Sequence, residues 1–357
     1  MSDSINDSMN DSRSDISQGS PVVYDSANPT QFASLCGRVT HEPTIAKQSA
    51  CAKAIIVGEH AVIYGAAAVA MPLTNLRIGL TLTPKSTWIQ DGVSPSEPII
   101  RMTLGNKKVS PHLKRTVDEA FAVLGVAPFS ADIDGHSSVF IGAGLGSSAA
   151  LCIVLLRAIS QSLGMNLGNE ELAYLGNKLE ARFHGTPSGL DTATVALEEI
   201  ILFRRGIRAQ TIIVPKSADE SRWRFLLIDS GVRASTLAMV KLAAPWFSGE
   251  HGDRRIAAFD AAARQTAEGL AQGNIESVAD SMTQSGSWLL EAGVVTSQLT
   301  DIIDATTAVG AIAAKSTGAG GGGCVLALLP HTLPTEVALT QLRQRLPGLT
   351  VTRVEVP

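Results

Sequence analysis

At 357 residues the chain is longer than one hydrophobic core usually supports, so two domains are expected. The net charge of −4 lies wholly in residues 1–45, where Asp3, Asp7, Asp11, Asp15, Asp25 and Glu42 face Arg13 and Arg38. The neutral remainder has no basic run, which argues against a nucleic-acid partner or an anionic membrane surface, and no apolar stretch reaches the roughly 18 residues of a bilayer span.

Ser, Asp and Asn repeat through Met1 to Ser20 with few apolar residues to bury, so residues 1–45 are expected to be disordered. They lack the basic start and apolar core of a signal peptide. Cys36, Cys51, Cys152 and Cys324 show no metal-ligand spacing, and the apolar runs around the last two point to buried free thiols in a reducing cytoplasm. No zinc site is expected.

The ordered chain opens on Ala52 to Val57, an apolar strand broken by Gly58-Glu59-His60 and resumed through Ala61 to Gly65. Lys53, Glu59 and His60 need a reason to stand there, because burying such groups unpaired costs several kcal/mol, ~2–7 for an uncompensated polar group. Two alternatives stand: a site, or a lysine that snorkels to the surface beside a capped turn. Leu76 to Thr83 alternates, Pro98 to Leu104 offers another strand, His112 to Leu124 has helical spacing, and Val139-Phe140-Ile141 reads as a strand leading into a loop.

That loop, Gly142-Ala143-Gly144-Leu145-Gly146-Ser147-Ser148, runs into an Ala/Leu-rich helix, whose unpaired first amides and partial positive charge suit a polyphosphate. It is neither a Walker loop, lacking lysine after Gly146, nor a dinucleotide fingerprint, having serine at 147, so a nicotinamide dehydrogenase is disfavoured. Close packing of helix on strand would use the same glycines.

Asn169, a helix cap candidate, opens a segment whose Leu172, Leu175, Leu179 and Phe183 form one stripe. Glu180 lies beside that stripe, either as a buried acid or on a solvated surface with Lys178 and Arg182. Asp191 closes the turn-rich run from His184, either as a site acid or as the cap of the next helix. Polar residues from Pro215 to Arg222 mark a domain boundary, Phe225 to Asp229 is a strand, Ser235-Thr236 heads a helix, and residues 254–304 are mostly helical with breaks near Gly273 and Gly293. Lys315 to Cys324 holds five glycines in the six residues from Gly318, an ordered turn that approaches a ligand.

Three segments in order, residues 50–65, 142–150 and 315–324, resemble the GHMP kinase family, with weaker agreement at Gly185 to Asp191 and Ser285 to Val294. Cys51-Ala52 replaces the family's usual Pro-Gly, and Thr186 and Ser285 stand where asparagine is usual. The resemblance implies an α+β, two-domain fold: a nucleotide-binding domain over 46–220 with a left-handed crossover, and a ferredoxin-like domain over 221–357.

It further implies an ATP-dependent kinase with mevalonate as acceptor, a possible homodimer, and ATP phosphates on Gly142, Ala143, Gly144, Leu145, Gly146, Ser147 and Ser148. Magnesium would sit on Glu180 and a serine, Ser148 or Ser147. Asp191 and Lys53 would face the accepting hydroxyl, with Glu59, His60 and Thr236 holding the substrate. A phosphomevalonate or sugar kinase, or a non-catalytic sensor on the same scaffold, are the alternatives.

Overall fold

The computed structural model describes residues 42–85, 100–104, 107–108, 111–184, 187–215 and 223–354. The expectations for residues 1–41, for Pro98, Gly185 and Thr186, and for most of the 215–222 boundary lie outside these described residues.

Strand β1 (Ala46–Val57) pairs antiparallel with the long β2 (Ala68–Pro84), and the register shifts between Cys51 and Ala52 and again between Ile55 and Val57. Such irregularities re-aim side chains, and these two bracket Lys53. The far half of β2 pairs with β5 (Ala131–Ser137) and its near half with β6 (Ile201–Phe203). Strand β3 (Ile100–Leu104) runs parallel to β5, with α1 (Pro111–Leu124) in the connection, while β4 (Lys107–Lys108) and β7 (Gln210–Thr211) finish the edges.

Helices α2 (Ser147–Ser162), α3 (Asn169–His184) and α4 (Leu190–Leu197) pack together, with α2 against β1 and β2. Sealed between elements, β1 is buried from Ala50 onward and α2 over Ala149, Ala150 and Cys152–Leu156, so both read as continuous apolar runs. Cys51, Cys152 and Cys324 are buried free thiols.

The C-terminal half of the described chain runs through β8 (Arg224–Asp229), α5 (Thr236–Ala243), α6 (Gly249–Gln272), α7 (Ile275–Glu291), α8 (Ser297–Ala308), β9 (Ala313–Thr317), β10 (Cys324–Leu329), α9 (Thr335–Arg345) and β11 (Thr350–Val354). Its antiparallel sheet has the order β11-β8-β10-β9, as in a ferredoxin-like fold. Among the described residues, no helix is long and apolar enough to cross a membrane.

Local structure departs from the sequence reading in three places. Ala61–Tyr64 is a 3-10 turn rather than a resumed strand, because Gly58 (φ 114) and His60 (φ 60) turn the chain and Val62 and Ala66 bond back to Gly58 and Ala61. The strand before the glycine loop ends at Ser137, since the hydroxyls of Ser137 and Ser138 take the amides of Val139 and Arg77. Asn169 is the first helical residue of α3 and not its cap; the Glu171 carboxylate instead accepts from the Gly168 amide at 2.7 Å.

Glu198 ends α4 in a left-handed conformation (φ 55). Its carboxylate accepts two bonds of 2.9 Å from Arg77 on β2 and one of 2.7 Å from Arg157 on α2, and Arg157 also reaches the Ser49 carbonyl on β1. Burial opposes the charge, but the hydrogen bonds from Arg77 and Arg157 outweigh it and hold the Glu198 carboxyl below its usual range. A depressed carboxyl contributes stability that is complete above the unfolded pKa and lost as pH falls through the folded one. Glu198→Gln is therefore expected to lower stability by about 2 kcal/mol at neutral pH, and the deficit should shrink in acid below about pH 4, read from urea melts across pH.

Candidate active site

Helix α2 begins after three glycines in left-handed conformation, Gly142 (φ 72), Gly144 (φ 78) and Gly146 (φ 67), and no side chain caps it. Its opening therefore presents unpaired amides at the positive end of the helix dipole. A side chain on Gly146 would stand 3.0 Å from Lys53 Cγ and Cε and 3.5 Å from Asp191 Oδ2, so both charged groups lie at the mouth of the helix.

Lys53 is 2% exposed, and its backbone amide bonds the Leu145 carbonyl at 3.0 Å. Its ammonium donates to the Gly144 carbonyl at 3.1 Å and stands 3.2 Å from Asp191 Oδ1. It does not snorkel. Asp191 sits in the first turn of α4, where Gly189 (φ 91) takes the cap position and leaves the carboxylate free to face Lys53.

Glu180 is buried on α3, and its Oε1 accepts from the Ser148 hydroxyl at 2.7 Å. Burial, and then the charge of Asp191, push its carboxyl up to about 7. Burial is the larger cause, so the shift marks a carboxyl held out of water, with a second carboxylate nearby. Among the described residues, no three His, Cys, Asp or Glu side chains gather to cage a metal. A carboxylate and a hydroxyl instead suit a hard cation that keeps water and phosphate oxygens as its remaining ligands, as magnesium does.

The second domain supplies a matching turn. The positions a side chain would take on Gly318 and Gly323 fall 2.7 and 2.6 Å from the carbonyls of Gly144 and Ala143, a separation only glycine permits. Just before this turn, Lys315 on β9 pairs with Glu59, both fully buried, and the Ala319 carbonyl lies 2.9 Å from His60 Nε2. Burial lowers the pKa of His60, favouring the neutral ring, and raises that of Glu59.

Thr236 is exposed at the first position of α5, and none of the contacts described above involves it. Its cap neighbour Ser235 faces its own helix, accepting from the Ala238 amide. Two groups not singled out from sequence join the site. Lys315 interrupts an apolar strand as Lys53 does, and the same argument applied to it would have found it. Arg233 donates to the Ile141 carbonyl at 2.9 Å and pairs with both oxygens of Asp229 at 2.7 Å, beside Gly142, and no local pattern announces it.

An uncapped helix mouth, an adjacent ammonium and carboxylate, and a glycine turn from the C-terminal half packed against the same loop are the features of a small-molecule kinase. The model of the GHMP kinases N terminal domain matches residues 111–199, and that of the GHMP kinases C terminal matches residues 266–348. A mevalonate kinase of Pyrococcus furiosus is 29% identical over 310 residues, covering 79% of this chain and 89% of that one. One from Thermococcus onnurineus is 27% identical over 311 residues, with the same coverage.

Among solved structures, the L. major mevalonate kinase in complex with R-mevalonate aligns with a TM-score of 0.72 at 20% identity, over 89% of this chain and 98% of that one. The Methanococcus jannaschii mevalonate kinase aligns with a TM-score of 0.71 at 24% identity, over 89% and 99%. The chain belongs to the GHMP kinase family.

Because the Glu180 carboxyl is raised, the folded protein free of nucleotide and metal holds a proton there that the unfolded chain has released, and stability falls as pH rises from the unfolded value toward about 7. Glu180→Gln, a mimic of the protonated form, should match wild type in acid and melt higher than wild type above about pH 8, while losing activity. Melting temperatures of both proteins across pH would check this.

Proposed function

We propose that the protein transfers the γ-phosphoryl group of ATP to the primary hydroxyl of mevalonate, giving 5-phosphomevalonate. The observation that carries this reading is the Lys53–Asp191 pair packed against Gly146, at the opening of α2. The curated relatives named mevalonate kinase, matched over 79% of this chain, supply the acceptor.

In this reading the phosphates of ATP lie along residues 142–148, against the α2 amides. Glu180 and Ser148 would hold magnesium, which when bound neutralises phosphate charge. The acceptor oxygen attacks the γ-phosphorus, the bond to the ADP oxygen breaks, and Asp191 takes the hydroxyl proton. Lys53, 3.2 Å from Asp191, holds that carboxylate in place and stabilises charge as it develops on the transferring group. Glu59 and neutral His60 hold the acceptor. The reaction belongs to isoprenoid synthesis, and the three buried free thiols suit a reducing cytoplasm.

Asp191→Ala should lower turnover by about a thousandfold while ATP binding, followed by calorimetry, stays at the wild-type level. A variant that keeps most of its activity would remove Asp191 from the chemistry. ADP release measured with mevalonate, phosphomevalonate and galactose tests the acceptor, and absence of turnover with mevalonate would refute it.

A further inference from the structure

The turn after β1 carries an unusual backbone. His60 is not glycine, yet it holds φ 60 and ψ −50, a conformation that costs of the order of 1–3 kcal/mol and persists only where its surroundings over-determine it. Those surroundings come from the other domain, at alternate residues of one segment. Lys315 binds Glu59, Thr317 both accepts from the Ile55 amide at 2.9 Å and donates to the Ile55 carbonyl at 3.0 Å, and the Ala319 carbonyl meets His60. Lys315 and Thr317 share one face of β9, and the Ala319 carbonyl follows in the turn after Gly318 (φ 88), so three positions of one segment grip residues 55, 59 and 60.

Of the three, Lys315 has the least obvious reason to exist. It is 0% exposed and its partner 1%. A buried ion pair is weak support for stability, because desolvation cancels much of the attraction and apolar residues of similar volume often do as well. Burial drives the Lys315 pKa down and the Glu59 pKa up, so each partner is charged at a cost. Among the described residues, the ammonium is otherwise satisfied only by the Ser316 carbonyl at 2.8 Å, and Glu59 Oε2 is buried with no hydrogen-bond partner. The arrangement fixes one oxygen of Glu59 and leaves the other available.

We infer that Lys315 is a positioning residue: reaching across the domain interface, it sets the Glu59-His60 turn in the shape that receives the acceptor, while the glycines after it serve the phosphate loop. The division of labour follows from the contacts, since Gly318 and Gly323 lie against Gly144 and Ala143, whereas Lys315 touches Glu59. The inference rests on the kinase reading for the acceptor's identity alone.

Lys315→Met removes the grip, and Lys315→Gln keeps a donor without the charge. In Lys315→Met the KM for mevalonate should rise about tenfold or more with the KM for ATP within about twofold, and Lys315→Gln should recover part of the loss. Hydrogen exchange should quicken in residues 55–62 and not in α2. An unchanged acceptor KM, a parallel rise of both KM values, or failure of both variants to fold would overturn the assignment. If the wild-type protein turns over no mevalonate, the acceptor is wrong and exchange alone decides: faster exchange confined to 55–62 supports Lys315 as the positioning residue, and unchanged exchange refutes it.

Discussion

Lys53 carries its charge at 2% exposure inside an apolar strand, a placement that persists only because Asp191, 3.2 Å away, and the Gly144 carbonyl receive it. Much of the nearby structure serves that ammonium. The register shifts in β1 bracket it, the backbone of Lys53 bonds the phosphate loop at Leu145, and Gly146 lacks the side chain that would push it aside. A lysine held this way is close to both the helix opening and the Asp191 carboxylate, the geometry on which the proposed phosphoryl transfer rests.

The second constraint is close approach between domains. Two glycine turns, one from each domain, meet at separations that leave no room for a Cβ, so the loop over residues 142–148 is shaped partly by residues from the far end of the chain. The same contact buries Glu59, Lys315 and His60 and keeps the His60 backbone in a strained conformation. Strain and buried charge lower stability locally, and their concentration at one interface fits a site where positioning is favoured over stability.

Much of the fold was legible in the residues. Glycine at 142, 144 and 146 ahead of an Ala/Leu run has few uses besides a tight turn into a helix, and the breaks at Gly273 and Gly293 separate α6, α7 and α8. The misread elements failed for local reasons. Ala61–Tyr64 has strand-like composition, but Gly58 and His60 fold it back on itself. Val139–Ile141 is as apolar as a strand, but two serine hydroxyls compete for the backbone amides that a ladder would use.

The sequence by itself determined the α+β character, the glycine loop and its helix, and the short set of charged residues that an apolar setting made conspicuous, because turn chemistry and burial patterns are written in neighbouring residues. Tertiary structure alone decided whether Glu180 faced solvent or Ser148, whether Asp191 capped a helix or met Lys53, that Thr236 stays at the surface, and that Lys315 is the partner of Glu59. Those outcomes depend on which elements pack together, and a contact between residues 59 and 315 leaves no trace in the local pattern around either one.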